Sequence, residues 1–356
     1  MKKILVTGSG GPAGVNFLKS LHLADEEMEL YGTDINIYHK FFAAPWSKEV
    51  FIVPRANTVD YIPKINKIVA KNKIELIHPQ PDIEVLAISE NREKLDALTY
   101  LPKKTTIKIM QDKFKSASIW KEKGFPSVKA IPIRPEYLEK DIQNALEVLG
   151  NKIWIRAKKG AGGRGSTPVE NVITAVSWIK YWISRGKDWE FIAQEYLPGR
   201  NVAFQSLFKE GELICSLARE RLEYIYPYLA PSGITGTPIV AKTIHNDQVN
   251  KNAVDAILSI DPDATGVFCV DMKEDKTGNF CPTEINAGRF FTTSYFFSLG
   301  SKRFNVPKAN MPYMLVKLAY RETIPEGPQF NLLPNDLYWI RHIDCAEHLI
   351  ESNELK

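Results

Sequence analysis

The stretch Ala264-Thr-Gly-Val-Phe-Cys-Val-Asp271-Met-Lys-Glu-Asp-Lys-Thr-Gly-Asn-Phe-Cys-Pro-Thr-Glu284-Ile-Asn286-Ala-Gly-Arg289 decides how the rest of the chain is read. Two β-prone runs flank a polar turn at Lys276-Thr277-Gly278-Asn279, the pattern of a β-hairpin. Alternation puts Val267, Cys269 and Asp271 on one face of the first strand, and Pro282, Glu284 and Asn286 on one face of the second. A turn centred near Lys276 sets Asp271 opposite Glu284. Two carboxylates and an amide oxygen on one face form an all-oxygen site for a hard cation such as Mg²⁺, to be completed by a polyphosphate. A lone strand carboxylate is ordinarily a solvated surface residue. Here Val267, Phe268, Val270 and Ile285 mark a largely buried hairpin, where carboxylates without a counter-charge are costly.

With 356 residues the chain is expected to form two or three structural units, because single cores rarely grow past about 250 residues. Its 44% hydrophobic and 25% charged residues are ordinary for a folded soluble chain and exclude disorder as the main state. A net charge of +4 without a long Lys/Arg block argues against a nucleic-acid partner. The four cysteines, Cys215, Cys269, Cys281 and Cys345, include no CxxC pair, and alternation sets Cys269 and Cys281 on opposite hairpin faces. Neither a zinc site nor a disulfide framework is expected. Reduced cysteines, the short apolar run at Met1-Lys-Lys-Ile-Leu-Val-Thr and the lack of an apolar run near ~20 residues predict a cytoplasmic chain without membrane contact.

Asp271, Glu284-Ile-Asn286 and Arg289 together resemble the metal-binding end of ATP-grasp enzymes, especially the carbamoyl-phosphate synthetase large chain and related carboxylate-amine ligases. The resemblance implies an α/β chain in which a Rossmann-like parallel-sheet domain precedes a two-lobed α+β ATP-grasp domain. The expected units are 1–105, a small lobe over 106–190, a large lobe over 191–325, and a tail over 326–356. ATP with Mg²⁺, or Mn²⁺ in its place, are the implied cofactors, and the implied metal ligands are Asp271, Glu284 and Asn286.

At the N-terminus a short apolar strand, Lys3 to Thr7, turns through Gly8-Ser-Gly10-Gly11-Pro-Ala-Gly14 into a helix, and a second strand ends in Asp34. Alone, this reads as a dinucleotide fingerprint with Asp34 on a ribose, so a nicotinamide-dependent oxidoreductase is the rival class. The same turn serves close packing equally well, and ATP-grasp enzymes commonly begin with such a domain. A helix is expected over 62–71, a strand over 74–78 and an amphipathic helix over 84–98. Gln80 and Asp82, at the carboxyl end of the strand before them, are candidate substrate residues, against the plainer reading of a proline-rich turn.

The helix beginning at Gln111-Asp-Lys113 resembles the family helix whose basic residue reaches the nucleotide phosphates, which assigns that role to Lys113. Next, Lys152-Ile-Trp-Ile-Arg156-Ala-Lys158-Lys-Gly160-Ala-Gly162-Gly163-Arg164-Gly165 is a strand followed by a glycine-rich loop. Backbone N–H groups of such a loop can converge on phosphate oxygens, with basic residues adding charge. No Gly-Lys-Ser/Thr closes it, so it is not a Walker A loop. It resembles the ATP-grasp glycine loop, which implies Arg156, Lys158, Gly162, Gly163 and Gly165 as nucleotide-binding residues. Phe191 to Gly199 resembles the adenine-holding hinge, implying Glu195 and Leu197 against the base, with Asn201 left to serve the ribose where relatives carry an acid. Ser232-Gly233-Ile-Thr-Gly236 resembles the loop that closes over the nucleotide. Arg219 and Arg221 suit a substrate carboxylate or, equally, surface ion pairs. The aromatic helix with Trp178, Tyr181 and Trp182 carries no assigned role.

The expected activity is an ADP-forming ligase: ATP phosphorylates a carboxylate of an amino acid, peptide or small acid, and an amine captures the acyl phosphate. Arg289, Arg156 and Lys113 are its expected catalytic residues. A bicarbonate- or carbamate-activating fragment of synthetase type is the alternative within the class. Small-molecule partners are expected, and a homo-oligomer is compatible with the sequence.

Overall fold

In the computed structural model, residues 1–160, 163, 165–186 and 189–342 are described, and they build three sheets. The first is all parallel, in the order β3-β2-β1-β4-β5, from β1 (Lys2–Thr7), β2 (Met28–Asp34), β3 (Glu49–Ile52), β4 (Leu76–Pro79) and β5 (Leu98–Thr99). Ile4, Leu5 and Val6 in the central strand are fully buried, as a strand covered on both faces requires. The second is a four-stranded antiparallel sheet of β6 (Ala130–Ile133), β7 (Ile153–Ala157), β8 (Thr167–Val169) and β9 (Phe191–Glu195), in the order β6-β9-β7-β8. The third is six-stranded, β14-β13-β10-β11-β12-β15, from β10 (Asn201–Lys209), β11 (Glu212–Tyr224), β12 (Pro238–Ile244), β13 (Gly266–Glu274), β14 (Phe280–Ala287) and β15 (Tyr338–Ile340). No helix among the described residues is long and apolar enough to cross a membrane.

Alternation along β10 shows how the largest sheet is sandwiched. Val202 and Phe204 face a core shared with the helices Lys113–Glu122 and Asp247–Ile260, through Trp120 and Ile257. Ala203 and Leu207 face the other way, into a core continuous with the parallel sheet through Phe17, Leu18, Met311 and Met314. That second face also carries Asp271, Arg219 and Arg221, so one end of it packs while the other bounds a cavity.

Several expectations are redrawn. The helix expected over 84–98 is Asp82–Glu90, followed by a 3₁₀ turn and β5. Phe191–Glu195 pairs with β6 and β7, so the four-stranded sheet runs past residue 190 into the segment expected in the large lobe. The expected tail adds a strand to the six-stranded sheet and buries Leu332 and Leu333. Hairpin alternation breaks at Thr283, where the β13–β14 register shifts. Asp271 still faces Glu284, but Pro282 now sits opposite Met272, away from Glu284. Cys281 falls opposite Lys273, on the same face as Cys269 rather than the opposite one, and packs with Val128 and Leu197.

The N-terminal glycine turn is filled by protein. A Cβ on Gly8 would lie 2.3 Å from Pro81 Cγ, one on Gly10 2.2 Å from the His39 carbonyl oxygen, and one on Gly14 2.4 Å from the Gly8 oxygen. Asp34 accepts from the backbone N–H groups of Gly10 (3.1 Å) and Asn36 (2.9 Å) instead of awaiting a ribose. These glycines permit close packing, the plainer of the two readings of the turn.

At the same edge Glu84, 3% exposed, lies beside Thr7 and Tyr61, and Glu84 Oε2 has no hydrogen-bond partner of normal geometry. Burial pushes its carboxyl up to about 7. The folded value lies above the unfolded one, so this group's stabilisation is complete below the ordinary carboxylate range and is lost as pH rises through 7. Glu84→Gln is therefore expected to be more stable than wild type at pH 8 by about 3 kcal/mol relative to the difference at pH 4. Urea unfolding at both pH values checks it; equal differences at both would show Glu84 ionised in the fold.

Candidate active site

A cavity of about 550 Å³ lies between the four-stranded and six-stranded sheets. Its wall combines Trp154, Arg156 and Gln194 with Arg219, Asp271 and Glu284. Cross-strand pairing sets Asp271 against Glu284, and Asn286, opposite Cys269, completes the same face.

Three cations from separate segments meet these two carboxylates. Asp112 caps the helix Lys113–Glu122 by accepting from Phe114 and Lys115 N–H, both at 3.1 Å, which fixes Lys113 in the first turn. The Lys113 ammonium donates to the Gly160 carbonyl at 2.7 Å and lies 3.1 Å from Glu284 Oε2. Arg156 Nη2 donates to the same oxygen at 3.0 Å. Arg221 pairs with Asp271, which also accepts from Asn286 Nδ2 at 3.3 Å. Burial works to raise the Glu284 carboxyl, but Arg156 and Lys113 outweigh it and hold it well below the ordinary carboxylate range. For Asp271 burial wins over Arg221, aided by the neighbouring Glu284, and its carboxyl is pushed up. Burial likewise lowers the Lys113 ammonium.

This donor set fits a hard cation. Two facing carboxylates and an amide share one cavity wall, and in the ligand-free protein ammonium and guanidinium groups supply the positive charge that a divalent ion would bring. Asn286 turns its oxygen to Arg289, so it presents nitrogen to Asp271. Among the described residues no group of three or more His, Cys, Asp or Glu is placed to hold a metal ion.

Other expected residues distribute unevenly. Gly163 (φ +66°) and Gly165 (φ +75°) occupy the left-handed region that favours glycine, and a Cβ on Gly163 would come 3.2 Å from the Ile234 carbonyl of the facing loop. Trp178 Nε1 donates to the Gly165 carbonyl at 3.0 Å, and Trp182 stacks on Trp189 with centroids 4.7 Å apart. The aromatic helix thus braces the glycine loop, a role its sequence spacing did not announce. Gly162 lies outside the described residues. Leu197 and Asn201 line the cavity, and Glu195 lines it while accepting from Lys129 N–H at 2.8 Å. Arg200 forms a two-point pair with Glu274 at 2.9 Å.

Four expected nucleotide residues, Lys113, Lys158, Gly165 and Gly233, are not on the cavity wall. Lys158 pairs with Glu190 at 2.9 Å and Asp112 at 3.5 Å, because acids on both sides capture its ammonium. Gly233 sits in open space at the loop tip, and Ile234 and Gly236 line the cavity in its stead. Arg289 lines the cavity and is gripped by Asp82 through two hydrogen bonds, tying the parallel-sheet domain to the end of β14. Gln80 is 3% exposed and does not reach the cavity wall.

Solved structures with the same architecture are ATP-grasp enzymes. The biotin carboxylase domain of Hydrogenobacter thermophilus 2-oxoglutarate carboxylase, crystallised with MgADP and bicarbonate, superposes with a TM-score of 0.72 at 14% identity, covering 95% of this chain and 73% of that one. Carboxyaminoimidazole ribonucleotide synthase from Aspergillus clavatus, complexed with ATP, gives 0.68 at 15% identity over 92% of this chain and 79% of that one. L-amino acid ligase from Bacillus licheniformis gives 0.62 at 10% identity over 84% and 70%. No protein-family model and no curated protein sequence matches the chain. The chain has the ATP-grasp fold.

Glu284→Gln leaves Lys113 and Arg156, 6% and 12% exposed, with no carboxylate between them. It is expected to cost about 3–5 kcal/mol in denaturant unfolding of the ligand-free protein at neutral pH. The Glu284 carboxyl is lowered in the fold, so its stabilisation is full above the ordinary carboxylate range and fades as pH falls below it. The wild-type advantage over the variant should shrink in the same direction; a gap that stays constant into acid contradicts the assignment.

Proposed function

We propose that this protein is an ATP- and Mg²⁺-dependent ligase that converts a carboxylate into an acyl phosphate and joins it to an amine. The observation that carries this is the meeting of Lys113, Arg156 and Arg221 with the Asp271–Glu284 pair, of which the two arginines and both carboxylates line the cavity. A hinge with Glu195, Leu197 and Asn201 borders the same cavity, as do Gly163 and the loop through Ile234, which supports a nucleotide lying between the two antiparallel sheets.

Asp271, Glu284 and Asn286 would hold Mg²⁺, which would supply positive charge to neutralise the phosphates. Lys113 and Arg156 then turn from Glu284 to the phosphates, and Arg289, steadied by Asp82, stabilises the transferring group. A carboxylate oxygen attacks the γ-phosphorus, the bond to ADP breaks, and an acyl phosphate forms. An amine nitrogen attacks the carbonyl carbon, phosphate leaves, and the nitrogen loses a proton. The closing loop at 232–236 protects the intermediate from water. Bicarbonate, present with the Hydrogenobacter carboxylase domain, offers the same reacting group, and ADP release on bicarbonate and amine alone would mark that variant.

Two measurements test the reaction. ¹⁸O in the substrate carboxylate should appear in released phosphate during turnover, and its absence would reject acyl-phosphate chemistry. Lys113→Met should lower kcat by roughly 10²–10³, the loss of one donor to the charge developing in the transition state. An unchanged kcat would remove Lys113 from the phosphate site.

A further inference from the structure

Among the cations that line the cavity, Arg219 stands apart. Arg156 has Glu284, Arg221 has Asp271, Arg289 has Asp82, and Lys273 donates to the Gly199 carbonyl at 3.1 Å. Arg219 is completely buried, yet its Nε and Nη1 have no hydrogen-bond partner among the described residues. Its guanidinium stacks between Phe291, 4.7 Å from its ring centre, and Phe297, at 5.4 Å. Such stacking orients a guanidinium but leaves its donors unmet. Burial, with Arg221 adding repulsion, brings its value down to about 9, so the group stays charged at neutral pH. Asp271 acts on it only through space, and a buried charge without an acid in direct contact is costly for a fold to keep.

Register places this cation. Thr243, Arg219, Ala203, Asp271 and Glu284 form one cross-strand row on the cavity face. Arg219 is therefore two strands from Asp271, roughly 10 Å across the sheet. Thr293, two residues beyond Phe291, also lines the cavity with a buried and unpartnered hydroxyl. One planar fork held against two aromatic rings suits a planar carboxylate better than a phosphate dianion.

We infer that Arg219 is a specificity-determining residue that anchors a second carboxylate of the acid substrate, so that the enzyme acts on dicarboxylates or acidic amino acids. This rests on the ligase function proposed above. The reacting carboxylate belongs at the Asp271–Glu284 end of the row, and the anchored one lies toward β11, one to two strand spacings away. The two carboxylates are then roughly 5–10 Å apart, the span of a short aliphatic diacid.

The test uses the full chain with Mg²⁺ and a non-hydrolysable ATP analogue. Succinate, glutarate, adipate and L-glutamate are compared with the monomethyl esters of the three diacids by thermal melting. At least one diacid should raise the melting temperature of wild type while its monoester does not. Arg219→Met should lose that shift and keep its response to the ATP analogue, and Arg219→Lys should recover part of it. In turnover, Arg219→Met should raise KM for the diacid roughly 100-fold, the loss of a buried charge partner, with kcat changed far less. Monoesters acting as well as diacids, no diacid shifting the melt, or a shift that survives Arg219→Met would overturn the inference. ADP release with monocarboxylates and amines but not with diacids would sink Arg219 as an anchor and leave the ligase standing. A diacid shift dependent on Arg219, without ADP release from any acid and amine, would keep the anchor and reject the ligase.

Discussion

The structure turns on charge neutralisation at two facing carboxylates. Asp271 and Glu284 sit opposite each other across a ladder, where like charges repel, and both are withdrawn from much of the solvent. The ligand-free fold tolerates this only because Lys113, Arg156 and Arg221 arrive from a capped helix, the four-stranded sheet and β11. Each cation is thereby held where an anion could take it over. The contacts that fasten the lobes together are thus the same ones a nucleotide and its metal would rearrange, which couples binding to the relative position of the two antiparallel sheets.

A second constraint joins the parallel sheet to this centre. Asp82 begins the helix after β4 and grips Arg289 past the end of β14, more than two hundred residues later in the chain. Phe17, Leu18, Met311 and Met314 pack the same interface with apolar area. The N-terminal domain therefore positions an arginine of the cavity, and its own glycine turn is spent on packing against Pro81 and His39.

Arg219 shows the opposite balance. Where the other cavity arginines are paired within the protein, it retains a charge that packing alone does not offset. Stability forgone at one buried group is a common mark of a site shaped for a ligand. The aromatic rings that flank it lie just beyond the β13–β14 hairpin in sequence, so one segment supplies both the facing carboxylates and the wall that orients this guanidinium.

Period-two alternation in 267–271 and 284–286 and the glycine run before Gly165 act over a few residues, so the sequence alone placed Asp271 against Glu284, and it set Lys113 at a helix start. The β-bulge at Thr283 was not readable, because one extra residue in a strand leaves the composition unchanged while moving Pro282 and Cys281 to other faces. Nor could spacing reveal that Lys158 is captured by Glu190 and Asp112, that Asp82 holds Arg289, or that Trp178 braces the glycine loop. Those outcomes depend on which of several cations and acids finds a partner first once distant segments pack. That competition is settled by three-dimensional distance and burial, and by nothing a single stretch of chain encodes.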